Sequence, residues 1–303
     1  MFNYEHGKAY FPWSFQAVIE YLTYSSVYIS LAAGVMAFIS SVFHHVPFNP
    51  AVFLIGFLIT YAVYNLNRKT DEKEDAINHK ERYGFTKKYE RWLYYSAIFA
   101  YVFGLILAGY YGVAAFLAAL FPLVSGIAYS LPLLPARTGF RRMKEIPLMK
   151  SLLVASAWAI PPSLLPVFIG GGTICQTTLV MILFFFSLVF INTVLFDMRD
   201  VEGDRQSGVR TIPVILGIEH TRALLTAINM ILGLGILFLA WSIAPVAAIA
   251  ILIVGILYAQ IYIFSYKVMD LGHILCDLVA DGQFIGLGIL VYIANSAGLI
   301  HWM

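Results

Sequence analysis

Acidic residues are few in this chain, 17 in all, and eight of them sit in two clusters, each directly behind an apolar run. The first, "NRKTDEKED" at 67–75, places Asn67, Asp71 and Asp75 at i, i+4 and i+8. The second, "FDMRDVEGDRQSG" at 196–208, places Asp197, Asp200 and Asp204 at i, i+3 and i+7. On a helix either spacing lines one stripe, where carboxylates repel unless a cation or a hydrogen bond compensates. Oxygen ligands in such a stripe suit Mg²⁺, which keeps several waters and is usually held by one or two carboxylates plus substrate phosphates. Two facing clusters can hold two Mg²⁺ ions and bridge a diphosphate between them. Further candidates for substrate contact are Asn192, about one turn before Asp197, Arg141, Lys144 and Lys150 on the preceding polar connection, and Arg210 behind the second cluster.

The elements that must position these residues are membrane helices. Of 303 residues 60% are hydrophobic and 12% charged, against roughly 25% charged in an ordinary soluble domain. A hydrocarbon core of about 30 Å needs about 20 apolar residues per helical span. Nine segments qualify, at about 22–43, 50–66, 92–109, 112–131, 151–170, 175–196, 223–242, 244–265 and 278–300. They are too long and too uniformly apolar for barrel strands, and lipid forces the backbone to bond to itself. Under this division all 19 Lys and Arg fall on one side. Lys8 precedes the first segment, eight lie between the second and third, five between the fourth and fifth, four between the sixth and seventh, and Lys267 after the eighth. The positive-inside rule then places the N-terminus and both acidic clusters in the cytoplasm and the C-terminus outside the cell membrane. The start, "MFNYEHGKAYFPW", does not read as a signal peptide.

Each acidic cluster follows the second member of a four-segment set. The expectation is therefore an all-α integral membrane protein of nine transmembrane helices, one domain over 1–303. Two four-helix repeats plus one helix would surround a central cavity open to the cytoplasmic side. A charged run behind a membrane helix is ordinarily a solvated stop, but two at equivalent places with helical acid spacing point to a site. Cys175 and Cys276 fall at opposite faces and cannot pair, and no spacing suggests zinc. Transport of an anionic or lipidic substrate is the alternative function, with "IPP" at 160–162 in its favour. Transporters carry their sites near the midplane, however, and these acids lie at one boundary. A CDP-alcohol phosphotransferase would need a D-G-x-x-A-R acid motif, which is absent.

Asn67, Asp71 and Asp75 match the first motif, and Asp197, Asp200 and Asp204 the second motif, of a known family. The chain resembles the UbiA superfamily of intramembrane prenyltransferases over nearly its whole length. "GDRQSGVRTIP" at 203–213, "YSLP" at 129–132 and "MKEIPLMKSLLVASAW" at 143–158 are similar to the family's connecting segments. Arg68 stands where some members carry an aspartate, and Leu133 where the strict Tyr-x-x-x-Lys spacing would put a lysine. The resemblance implies that Tyr129 and Lys144 serve the diphosphate, and that both acidic motifs act through Mg²⁺. It implies transfer of a polyprenyl group from its diphosphate, through an allylic carbocation, to a hydrophobic acceptor. The partners so implied are the donor, the acceptor and membrane lipids, with no nucleic acid and no protein partner.

Overall fold

Every regular element among the described residues is helical. The computed structural model describes residues 15–300 apart from 71, 133–134, 136–139, 141, 147, 207 and 267–272. In chain order the helices are α1 (Phe15–Tyr24), α2 (Val27–Phe43), α3 (Pro50–Thr70), α4 (Glu72–Asn78), α5 (Lys80–Lys88), α6 (Glu90–Tyr110) and α7 (Val113–Ser130). A 3₁₀ turn (Met143–Glu145) follows, then α8 (Met149–Gly170), α9 (Gln176–Arg199), α10 (Val201–Gln206), α11 (Ile212–Leu216), α12 (Ile218–Trp241), α13 (Val246–Phe264) and α14 (His273–Ser296).

Seven of these (α3, α6, α8, α9, α12, α13 and residues 277–296 of α14) are each long and apolar enough to cross a membrane. The other two expected spans differ in form. The first is a pair, α1 and α2, bent by 67°. The bend follows from Ser26, a non-glycine residue in the left-handed region at φ 66°. It is held from α3, where Asn65 Nδ2 donates to Ser25 O at 3.1 Å and the Arg68 guanidinium donates to Tyr24 O. Arg68, at the position where relatives can carry an acid, thus serves the bend and not the acidic motif. The fourth expected span is the shorter α7, interrupted by Pro122.

Successive long helices pack on one another from α2 to α14, and α14 packs back on α2. Small residues allow the closest approach. A Cβ on Gly34 would meet the Phe53 ring at 2.8 Å, and one on Gly56 would meet Ala33 O at 3.2 Å, so α2 and α3 touch nearly backbone to backbone. The buried side chains form two apolar clusters. One holds residues of α2, α3, α6 and α7, and the larger is built mainly from α8, α9, α12, α13 and α14 with part of α2. Helix α8 borders both clusters and carries Pro161, Pro162 and Pro166. Membrane helices accommodate prolines when neighbours satisfy the freed backbone groups.

Candidate active site

Where α3, α7 and α8 come together they enclose a cavity of about 260 Å³. One end is polar: Asn67 from the last turn of α3, Tyr129 from the end of α7, Lys150 from the first turn of α8, and Arg82 from α5. The rest is apolar and aromatic, with Tyr64, Leu153, Ala157 and Trp158. The Trp158 ring meets Tyr64 edge-on at 5.8 Å and stacks on Phe284 at 6.5 Å. Five residues, including Tyr64, Ala157 and Trp158, also line a second cavity of about 50 Å³ that reaches Ile59, Pro161, Pro162 and Leu165. The space therefore runs from a charged mouth into an oily interior.

The acidic residues lie around that mouth, each against a base. Asp197, 2% exposed, is 2.6 Å from Lys150 Nζ through Oδ1, and Asp204 Oδ2 is 3.8 Å from the same nitrogen. Asp200 turns the other way. It accepts from Arg199 at 2.9 and 3.1 Å and lies 3.3 Å from His79 Nε2. Arg199 also donates to Asp277 of α14 at 2.6 Å. Asp75 accepts from Arg82 at 2.7 Å, which ties the first motif to a residue lining the cavity. Glu72, by contrast, pairs with Lys87 at 2.5 Å on the outside of α4.

The same surroundings set the protonation of the groups beyond the ends of the spans. Burial alone would raise the Asp200 carboxyl, but His79 and Arg199 overcome it and hold the group well below the usual carboxylate range. Burial pushes Asp204 up to about 6; Lys150 opposes this, and Asp197 and Asp200 add to it. Burial also lowers the His79 imidazole, against the pull of Asp200.

Of the residues singled out in the sequence, Asn67, Tyr129 and Lys150 meet in the cavity, with Asp197, Asp204 and Asp75 at one remove through Lys150 and Arg82. Asp71 and Arg141 lie outside the described residues, and Lys144 is described only as backbone of the 3₁₀ turn. Arg210 is exposed and does not line the cavity. Asn192 faces away from it. Its Oδ1 accepts from the Tyr262 hydroxyl and from Gln283 Nε2 at 2.9 Å, and its Nδ2 donates to Ala280 O at 3.0 Å. Five residues separate it from Asp197, which rotates it about 140° around α9, so nearness in sequence did not mean the same face. Sequence reasoning missed Arg82, His79, Arg199 and Asp277. Arg82 and Arg199 were already accounted for by the positive-inside rule, and His79 and Asp277 lie outside both acidic motifs.

Among the described residues no three of Asp, Glu, His and Cys converge closely enough to hold a metal ion by themselves. A pair suffices where phosphate and water complete the shell. The buried oxygens Asp197 Oδ2 and Asp204 Oδ2 accept no hydrogen bond. Orphaned carboxylate oxygens beside a cavity mouth are what a hard cation would satisfy, so these residues fit Mg²⁺.

The family model described as "UbiA prenyltransferase family" matches residues 27–271. The chain is 26% identical over 236 residues to the digeranylgeranylglyceryl phosphate synthase of Thermococcus kodakarensis, covering 73% of this chain and 76% of that one. Its fold is similar to that of a UbiA homologue from Archaeoglobus fulgidus bound to GPP and Mg²⁺, with TM-score 0.68 and 18% identity over 90% of this chain and 99% of the other. The same homologue bound to DMAPP and Mg²⁺ gives TM-score 0.66 at 18% identity, over 90% and 98% of the two chains.

Proposed function

The chain belongs to the UbiA prenyltransferase family, and from that premise we propose that it transfers a polyprenyl group from a polyprenyl diphosphate to an apolar or aromatic acceptor within the membrane, with Mg²⁺ and release of diphosphate. The observation that carries this reading is the cavity's division into a charged mouth and an aromatic interior, the shape of an anionic head on a hydrocarbon tail. Arg82 and Lys150 supply positive charge for the diphosphate, and Tyr129 a hydroxyl beside it. Asp197, Asp204, Asp200 and Asp75, with Asp71 and Asn67, would hold two Mg²⁺ ions. When bound, Mg²⁺ would neutralise charge on the departing diphosphate.

The bond from the allylic carbon to the diphosphate oxygen breaks, and its electron pair leaves with the diphosphate. The aromatic rings of Tyr64 and Trp158 line the cavity, and aromatic π systems stabilise a neighbouring cation. Apolar walls keep water from capturing the resulting cation. The acceptor's nucleophilic atom then forms the new bond and gives up a proton. The Archaeoglobus homologue, described as bound to GPP and Mg²⁺, supports the donor class. The name of the Thermococcus relative makes a glyceryl phosphate lipid one acceptor to try beside quinone-ring precursors, haem and chlorophyll-type rings. From the charge distribution we place the mouth at the cytoplasmic surface.

The experiment is incubation of purified protein with labelled prenyl diphosphate, Mg²⁺ and this panel of acceptors, with the product identified by mass. The reading fails if Asp200→Ala releases diphosphate at the wild-type rate.

A further inference from the structure

Among the described residues, Lys150 alone both pairs with two acids of the second motif and lines the cavity. Its ammonium lies between Asp197 and Asp204, at 2.6 and 3.8 Å, and it also lines the cavity with Asn67, Arg82 and Tyr129. Asp197 keeps a second, buried oxygen, Oδ2, that accepts no hydrogen bond, and Asp204 Oδ2 meets the ammonium only at 3.8 Å, beyond hydrogen-bond reach. One monovalent ammonium therefore leaves the pair half satisfied. The lysine rises from the first turn of α8, two residues beyond Leu148, which lies in the left-handed region at φ 68°. Its four-carbon stem reaches either the α9 acids or the cavity by rotamer change alone.

We propose that Lys150 is the resident counter-cation of the second acidic motif, competing with divalent metal for Asp197 and Asp204 and turning onto the diphosphate when metal takes its place. A divalent ion bound to these carboxylates sits within a few ångströms of the ammonium, and like charges at that range repel. In the donor-free protein a metal must therefore displace Lys150 into a cavity whose described lining residues include no anion. With diphosphate present the displaced ammonium gains one. Metal and diphosphate then bind with positive coupling, and coupling between two ligands is reciprocal. Lys150 so sets the order of loading, because metal binds poorly until the donor's head is there to receive the lysine.

The inference rests on the prenyl-transfer reading, and binding measurements separate the two. Mn²⁺ is the probe metal, followed by electron paramagnetic resonance on protein in nanodiscs, with and without inorganic pyrophosphate. Wild type should bind Mn²⁺ on the order of tenfold more tightly when pyrophosphate is added. Lys150→Met should bind Mn²⁺ alone about tenfold more tightly than wild type, and pyrophosphate should then tighten binding less than it does in wild type. Lys150→Arg, which keeps the charge, should behave like wild type. If Lys150→Met is poorly folded, Mn²⁺ should still raise its Tm more than it raises that of wild type. Equal Mn²⁺ affinity of wild type and Lys150→Met without pyrophosphate overturns the inference and leaves the prenyl-transfer reading standing. No Mn²⁺ bound by either protein under any condition removes both.

Discussion

Arg199→Met tests the mouth of the site through its stability. The Arg199 guanidinium, 6% exposed, holds Asp200 at 2.9 Å and Asp277 at 2.6 Å and stacks its cation over the Phe196 ring at 5.0 Å. Methionine keeps the length of the side chain and deletes the charge. It leaves Asp200 and Asp277, 15% and 18% exposed, as neighbouring carboxylates with their shared cation gone. Removing one partner of a buried ion pair costs about 3–5 kcal/mol, and the partial exposure of the two acids argues for the lower end. At roughly 2–4 °C per kcal/mol for a chain of this size class, the melting temperature should fall by about 6–12 °C. Thermal unfolding in detergent, followed by circular dichroism, measures it. The double variant Arg199→Met/Asp277→Met removes one of the two stranded charges, so it should melt above the single variant, with a coupling of about 1–3 kcal/mol. A single variant melting within about 2 °C of wild type, or a double variant no better than the single, would refute the argument that Arg199 joins the second motif to α14.

Three further outcomes follow from the same geometry. Arg82→Met should raise the donor KM roughly tenfold to a hundredfold, since a charge-assisted hydrogen bond is worth about 1.5–3 kcal/mol; titrating a prenyl diphosphate in a steady-state assay checks it. Ala157 lines both cavities, so Ala157→Phe should obstruct the passage between them. Long donors should then lose activity relative to short ones by about 1–3 kcal/mol, measured as the ratio of kcat/KM values for geranylgeranyl and geranyl diphosphate. With its carboxyl up at about 6, Asp204 is protonated below that pH and charged above it in the metal-free protein. A divalent ion needs the charged form, so Mn²⁺ affinity should be level above about pH 7 and fall about tenfold per unit below pH 6. Asp204→Asn should abolish that slope.

The spans and the acidic stripe were legible because they are local. Asp197, Asp200 and Asp204 announce themselves by spacing alone, and α9 carries no charged residue until it reaches them. The bend at Ser26 was not legible, because its cause is a hydrogen-bond acceptor offered to Asn65, 40 residues away in sequence. Nor was the division of the second motif, in which Asp200 turns from its neighbours toward Arg199 and His79. Periodicity says which residues share a face of a helix, not which base stands opposite. Lys150 was a candidate as a basic residue near the boundary, but its partners belong to another helix and to the turn beyond it. Arg82 and Asp277 could be found only once the helices were assembled. Asn192 reads in the sequence as a polar residue at membrane depth and a candidate substrate contact, whereas the partners packing gives it, Tyr262 and Gln283, come from helices that no local pattern could name.

The pairing of the motif acids Asp75, Asp197, Asp200 and Asp204 with bases of the chain itself also bears on biogenesis. A zinc finger cannot fold before its metal arrives, because the metal supplies the contacts that a small core lacks. This bundle can complete insertion and packing first, with its acidic residues already held in ion pairs from within, and acquire metal and donor afterwards. Chelation should accordingly silence the enzyme and leave its helices folded. Cells short of metal would then accumulate a dormant pool, revived by supply alone and needing no new synthesis.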